Sequence, residues 1–116
     1  MANMRLLSAR EHQPGDMEMC AIVAHELYYG AYKSQRAAGN VALIDHVQFE
    51  VLDFDKEDAR RAGEVRAVLA ARGKPIGPYD VMIVGQALGR GLILVTHNAG
   101  EFERVDGLRW EDWEKE

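Results

Sequence analysis

Polar side chains occur at three places in this sequence beside features that point them inward. Glu26 lies in a predicted helix that follows a strand, and Asp80 lies in the first turn of another helix. Asn98 and Glu101 follow a short apolar run. In a parallel α/β sheet these places all fall at the carboxyl edge, where such folds bind their ligands. The sequence therefore predicts that the four side chains converge.

The predicted site would offer only oxygen atoms as ligands. Clustered carboxylates repel one another unless a cation lies between them. Oxygen ligands select Mg²⁺ or Mn²⁺ over zinc. A divalent cation in such a site activates water and stabilises charge on a phosphate. The residue types therefore favour phosphodiester hydrolysis.

Each of these residues also has an ordinary structural interpretation. An aspartate in a first helical turn, such as Asp80, commonly caps the helix or stabilises its dipole. A mid-helix glutamate such as Glu26 usually faces solvent. Asn98, which precedes Ala99 and Gly100, is typical of a turn or an N-cap. Each position taken singly is weak support for a metal site, and the prediction depends on their combination.

Neighbouring aromatic and basic residues have two interpretations as well. His25 and His97 lack metal-ligand spacing, which favours surface or hydrogen-bonded roles. The tyrosines at positions 28, 29 and 32 are typical of packing residues, although an exposed tyrosine can stack on a nucleobase. Four basic residues could contact a phosphate, although a solvated surface position is the simplest interpretation of each: Lys33, Arg36, Lys74 and Arg104.

The helix that positions Asp80 has clear sequence boundaries. Gly77 and Pro78 predict its start, because proline has a preset φ and no N–H to lose at the first helical position. Apolar residues then recur at helical spacing, and a glycine-rich turn ends the helix. Residues 92–95 follow as a buried-type strand that ends at Thr96.

The remaining chain alternates helices with short apolar strands, which predicts an α/β fold with a mainly parallel sheet and right-handed crossovers. Leu6 and Leu7 are expected to close a short helix. Residues 98–102 are expected to form one helical turn. The other predicted helices cover residues 23–36, 41–48, 56–72 and 78–88, with a break at Gly39 and Asn40 before the second and Asp55 as the cap of the third. The other predicted strands cover residues 17–22, 49–54 and 108–113.

The length and composition of the chain limit the classes of protein to which it can belong. A length of 116 residues predicts one domain over residues 1–116. The net charge of −5 means that nucleic-acid binding would need a local basic patch. A single cysteine, Cys20, excludes an internal disulfide and is typical of a buried thiol in a reducing compartment. We find no stretch of membrane-spanning length and no signal-peptide core, so we expect no membrane partner and a cytoplasmic location.

Three segments together resemble the PIN-domain ribonucleases of the VapC type, the toxins of bacterial toxin–antitoxin pairs. Residues 24–31 (AHELYYGA) resemble the second acidic motif of that family, and residues 73–88, which contain PIGPYD, resemble the third. Residues 94–105 (LVTHNAGEFERV), with residues 107–108 and 111–113, resemble the fourth motif and the C-terminal strand. The resemblance runs from about Gln13 to the end, and the order of the motifs makes it specific.

The resemblance implies a parallel sheet flanked by helices and metal-dependent endonucleolytic cleavage of RNA. It also implies a VapB-type antitoxin that silences the enzyme, and a homodimer. Glu26 and Asp80 match metal-site acids, and Asn98 falls where many relatives have aspartate. Glu101 would supply the missing charge, and Thr96 matches a supporting hydroxyl residue at the strand end. The implied catalytic residues are thus Glu26, Asp80, Asn98 and Glu101, of which Glu26, Asp80 and Asn98 hold Mg²⁺ or Mn²⁺.

The sequence departs from the family pattern at its N-terminus. The family opens with a central strand whose Asp-Thr-Asn-type motif supplies the first metal ligand, and residues 1–10 contain nothing like it. We therefore expect an N-terminally shortened PIN-like domain with its central strand missing and its metal binding weakened. The alternative function is a degenerate, non-catalytic module that binds an antitoxin or an intact toxin. A third interpretation is a fragment that folds only by borrowing a strand.

Overall fold

A five-stranded sheet organises the chain in the computed structural model, which describes residues 5–8, 17–47, 50–96 and 100–112. The strands are β1 (Arg5–Ser8), β2 (Met17–Cys20), β3 (Glu50–Leu52), β4 (Leu92–Val95) and β5 (Trp110–Glu111). The helices are α1 (Ala21–Tyr32), α2 (Ala37–His46), α3 (Lys56–Ala71) and α4 (Pro78–Arg90), followed by a 3₁₀ helix (Phe102–Arg104). None of the helices in these ranges is long and apolar enough to span a bilayer.

The sheet has the strand order β3-β2-β1-β4-β5. β2 pairs in parallel with β3, and β4 pairs in parallel with β5. β1 is antiparallel to both β2 and β4, so the other four strands all point the same way. The predicted α/β fold with a mainly parallel sheet is confirmed, and the carboxyl ends of β2 to β5 share one edge.

The N-terminal segment differs from expectation. Leu6 and Leu7 lie in a strand and do not close a helix, and β1 fills the position between β2 and β4 that was expected to be vacant. The expectation that β2 and β4 lack a shared neighbour is therefore wrong. An open edge between buried strands would leave several backbone groups unpaired, and β1 supplies their partners. It runs against its neighbours, however, and its four residues include no acid.

The break between α1 and α2 falls at residues 33–36 and not at Gly39 and Asn40, which lie inside α2. A local hydrogen-bond chain explains the difference. The Ser34 hydroxyl donates to the Ala31 carbonyl over 2.6 Å, and the Asn40 side chain donates to the Ser34 oxygen over 2.9 Å. Side-chain bonds of this kind compete with the helical ladder and end α1 early.

Asp55 caps α3 as the sequence predicted. Its carboxylate accepts from the Asp58 N–H over 3.0 Å, and the Asp58 carboxylate accepts from the Asp55 N–H over 3.0 Å. This reciprocal pair is a capping box.

Asp58 also takes a buried position that its charge did not predict, since its side chain is only 3% exposed. Burial alone would raise the pKa of this carboxyl. Hydrogen bonds from Arg90, from the Asp55 backbone and from Gln86 outweigh burial and hold the pKa below its usual value. The Arg90 guanidinium lies 2.8 Å from the carboxylate and the Gln86 amide lies 3.0 Å from it. Asp58 therefore ties α3 to α4.

The core is built around α4. Ile83, Val84 and Ala87 are fully buried, and the helix packs against both α3 and β4. Gly91 ends it with a positive φ of 64°, so the predicted glycine stop is confirmed. Cys20 is buried and unpaired as expected, and its burial raises the pKa of the thiol.

Gly85 allows the close approach of α3 and α4. A Cβ at this position would lie 2.6 Å from the backbone of Ala62. We expect Gly85→Ala to lower the free energy of unfolding by about 2 kcal/mol, because backbone atoms cannot move aside as a side chain can. Urea denaturation followed by circular dichroism measures the change.

Gly63→Ala is the matched control, because nothing lies within 4 Å of the added methyl group. We expect this variant to gain up to about 1 kcal/mol from helix propensity. If Gly85→Ala proved as stable as Gly63→Ala, the tight helix contact would be disproved.

Candidate active site

Asp80 sits in the first turn of α4, which begins with Gly77 at the N-cap and Pro78 at the first helical position. The Asp80 carboxylate folds back towards that cap. Its Oδ2 lies 3.2 Å from the point that a Cβ on Gly77 would occupy. The glycine thus leaves room for the carboxylate at the positive end of the helix dipole.

Glu101 reaches the same helix end from a different part of the chain. Its Oε1 accepts a hydrogen bond from the Gly77 N–H over 3.4 Å. The adjacent Phe102 is 1% exposed and fixes this segment in the core. Arg104 adds a second tie, because its guanidinium donates to the Pro75 carbonyl over 3.0 Å. The turn before α4 and the segment after β4 are therefore held together at Glu101 and at Arg104.

The pKa of Asp80 depends on the neighbouring acids as well as on burial. It is raised from 3.8 to about 6, first by burial, then by a hydrogen bond with Glu101 and the charge of Glu101, and also by the charge of Glu26. Asp80 and Glu101 thus form a close carboxyl pair, with Glu26 near enough for its charge to be felt. Within the described ranges, no three His, Cys, Asp or Glu side chains stand close enough to hold a metal ion together.

The structure places the other predicted site residues in different surroundings. Glu26 lies in the second turn of α1, is partly buried, and so does not simply face solvent. Thr96 directly follows β4, is 3% exposed, and donates its backbone N–H to the Glu111 carbonyl over 3.0 Å. Asn98 and His97 lie outside the described residues.

One contact at this site was not predicted from the sequence. The rings of His25 and Tyr79 lie 5.7 Å apart between centroids, at an interplanar angle of 55°. Each residue immediately precedes a predicted site acid, His25 before Glu26 and Tyr79 before Asp80. This adjacency in the sequence could have predicted the ring contact, because helices that bring the two acids together also bring the residues next to them together.

The ligand chemistry of the cluster fits a hard divalent cation. The side chains of Glu26, Asp80 and Glu101 offer only carboxylate oxygens as metal ligands. The pKa of Asp80 is raised first by burial and then by Glu101 and Glu26, so the ionised form of Asp80 is disfavoured when nothing neutralises it. A divalent cation between them would remove that cost and displace the proton.

Comparisons with known proteins point to one family. A family model described as "PIN domain" matches residues 2–108. The chain is 50% identical over 101 residues to a tRNA(fMet)-specific endonuclease VapC of Shigella flexneri, a match that covers 85% of this chain and 76% of the relative.

Solved structures agree with the sequence matches. A DNA-bound VapBC complex of Salmonella typhimurium contains a chain that matches with a TM-score of 0.78 and 48% identity, over 81% of this chain and 73% of that one. VapBC-1 of nontypeable Haemophilus influenzae matches with a TM-score of 0.82 and 31% identity, over 91% of this chain and 81% of that one.

The Asp80 pKa generates a stability prediction. The folded chain binds the Asp80 proton more tightly than the unfolded chain, so ionisation above about pH 6 destabilises the fold. We expect Asp80→Asn to raise the free energy of unfolding by about 1–2 kcal/mol at pH 7.5 without divalent cations. The gain should shrink as the pH falls through 6 and vanish near pH 4, as measured by urea denaturation in EDTA.

Glu103→Gln is the control, because this exposed carboxylate lies only two residues from Glu101. Its effect on stability should be small at every pH. An Asp80→Asn gain that persisted unchanged at pH 4 would contradict the placement of the three acids.

Proposed function

Because this chain belongs to the VapC ribonucleases of the PIN-domain family, we propose that it is a metal-dependent endoribonuclease that cleaves RNA phosphodiester bonds. The close pair of Asp80 and Glu101, with Glu26 beside it, is the observation that carries the proposal. A ribonuclease of this kind needs carboxylates close to one another, and the turn before α4 brings Asp80 and Glu101 together.

VapC nucleases of the PIN-domain family generally depend on divalent metal ions. We propose Mg²⁺ or Mn²⁺ for this chain, held by Glu26 and Asp80 together with Asn98. The bound ion would supply positive charge that stabilises the phosphate in the transition state and lowers the pKa of water. Glu101 completes the negative charge of the site.

The protein's own residues control the protonation of the site. Asp80 has to lose its proton before it can hold a cation, and Glu101 makes that loss harder until the cation is present. The Gly77 N–H keeps Glu101 in place by donating to its Oε1. Metal affinity and cleavage should therefore both weaken as the pH falls below about 6, because protons then compete for Asp80.

The proposed substrate is transfer RNA, with the initiator tRNA as the first candidate. This proposal comes from the Shigella flexneri relative, which is described as specific for tRNA(fMet) and is 50% identical over 101 residues. The reaction would take place in the cytoplasm, where transfer RNA is found and where Cys20 would remain a free thiol.

The proposed regulator is a VapB-type antitoxin bound to a homodimer of this chain. The matching solved structures are VapBC complexes. The hairpin of α1 and α2 gives such a partner a surface, because α2 contains no fully buried residue. Leu43 and Val47 on this hairpin are 65% and 48% exposed.

A specific observation favours a second candidate function, that of a non-catalytic interaction module. No acid lies in β1, the central strand, and no three ligands in the described part of the chain stand close enough to hold a metal. Such a module would bind an antitoxin or an intact toxin and would not cleave RNA.

The activity test uses purified chain, initiator tRNA and either Mg²⁺ or Mn²⁺. We expect cleavage that EDTA abolishes and that Asp80→Asn or Glu101→Gln lowers at least 100-fold, since each variant removes one charge from the site. Glu103→Gln should stay within twofold of the parent chain. Equal cleavage by Asp80→Asn and the parent chain would place the reaction elsewhere or identify a contaminant.

Calorimetric titration with Mg²⁺ and Mn²⁺ separates the two candidate functions. Saturable binding at pH 7.5 that Asp80→Ala abolishes and that weakens at pH 5 supports the nuclease. A folded chain that binds no cation, yet captures a VapB-type antitoxin at micromolar concentration, supports the interaction module.

A further inference from the structure

One face of α1 carries exposed rings that lead away from the candidate active site. His25, Tyr29 and Lys33 recur at intervals of four residues, so they lie along one side of the helix. Tyr32 lies on the same side, and its side chain is 67% exposed, while Tyr29 is 56% exposed. We call His25, Tyr29, Tyr32 and the contacting Tyr79 the aromatic strip.

The core does not use the aromatic strip. α1 packs inward through its opposite face, where Val23 and Ala31 are 1% and 6% exposed. Tyr28 is also accounted for, since its hydroxyl donates to the Asp45 carboxylate across the α1–α2 hairpin. Tyr28 thus joins the two helices, whereas the side chains of Tyr29 and Tyr32 stay mostly exposed in the part of the chain that the structure describes.

We propose that the aromatic strip binds the single-stranded RNA segment beside the cleaved bond by stacking its bases. This inference rests on the proposed nuclease function and adds to it the surface that holds the substrate. Bases stack on aromatic side chains whatever their identity, because every base has a π-face. The strip would therefore position the strand and leave the choice of RNA to other contacts.

The position of the aromatic strip supports single-stranded RNA as its ligand. It starts at His25 and Tyr79, which are the neighbours of Glu26 and Asp80, and their ring contact joins α1 to α4. From His25 to Lys33 the helix rises about 12 Å. A strand lying along the strip would thus have one end beside the three acids and its next bases over Tyr29 and Tyr32.

Local positive charge at the far end of the strip is compatible with RNA. The chain has a net charge of −5 and repels a polyanion in general, so local cations matter. The Lys33 ammonium lies 4.9 Å from the centre of the Tyr29 ring. Arg36 is also exposed and lies in the turn between α1 and α2. Rings interleaved with cations are the usual surface for single-stranded nucleic acid.

The test measures binding without cleavage. A fluorescent single-stranded RNA of 12 nucleotides (about the length of a loop with its flanks) is titrated with the chain in EDTA, and anisotropy reports the dissociation constant. We expect the double variant Tyr29→Ala, Tyr32→Ala to bind at least tenfold more weakly. Tyr29→Phe, Tyr32→Phe should stay within twofold, since phenylalanine keeps the ring. Val68→Ala is the control on α3, where the side chain is 44% exposed.

Two further measurements separate failure of this inference from failure of the proposed function. In the cleavage assay, the double alanine variant should raise KM about tenfold and leave kcat within twofold, because the strip holds RNA and does not touch the reacting atoms. If the parent chain cleaved no RNA, the EDTA binding assay would still decide about the strip.

Unchanged RNA affinity in the double alanine variant would overturn the inference. If the same variant instead dissociated a dimer or an antitoxin complex in light scattering, the aromatic strip would be a protein interface. Circular dichroism shows whether the variants are folded, and the phenylalanine pair provides the comparison if the alanine pair is not.

Discussion

The close placement of the Asp80 and Glu101 carboxyls at the start of α4 is the constraint on which the candidate site depends. When both are ionised they repel each other, and they stay close because α4 carries Asp80 and its N-cap Gly77 donates a hydrogen bond to Glu101. The buried α4 residues Ile83 and Val84 fix the helix in the core, and the tight contact of Gly85 with Ala62 fixes its position against α3. The core thus holds a charge arrangement that isolated side chains would avoid.

The far end of α4 is fixed by a charge arrangement of the opposite kind. Asp58 has Arg90 at 2.8 Å, and its pKa is lowered, whereas the pKa of Asp80 is raised by burial and by the nearby acids Glu101 and Glu26. The carboxylate of buried Asp58 is neutralised within the chain, whereas the partly buried Asp80 carboxyl is not paired with a cation of this kind among the described residues. Such a contrast favours a stabilising role for Asp58 and agrees with the function proposed for Asp80.

The sequence predicted the elements whose signals are local. Pro78 at the start of α4, Gly91 at its end and the Asp55 cap of α3 depend on residues within a turn of one another. The antiparallel β1 was missed because hydrophobic periodicity does not show which strands pair, and its partner β4 lies far along the chain. The burial of Asp58 and the ring contact of His25 with Tyr79 were missed for the same reason, since each requires two helices to meet.

The central place of β1 has a geometric consequence for the acids. β2 and β4 are each bonded to β1, and β2 leads into the helix of Glu26 while β4 precedes the segment of Glu101. Neighbouring strands lie about 4.8 Å apart, so β1 acts as a spacer that keeps β2 and β4 about 10 Å from each other. β1 therefore sets the spacing between the strand that leads into the helix of Glu26 and the strand that precedes the segment of Glu101, although it contributes no acid of its own.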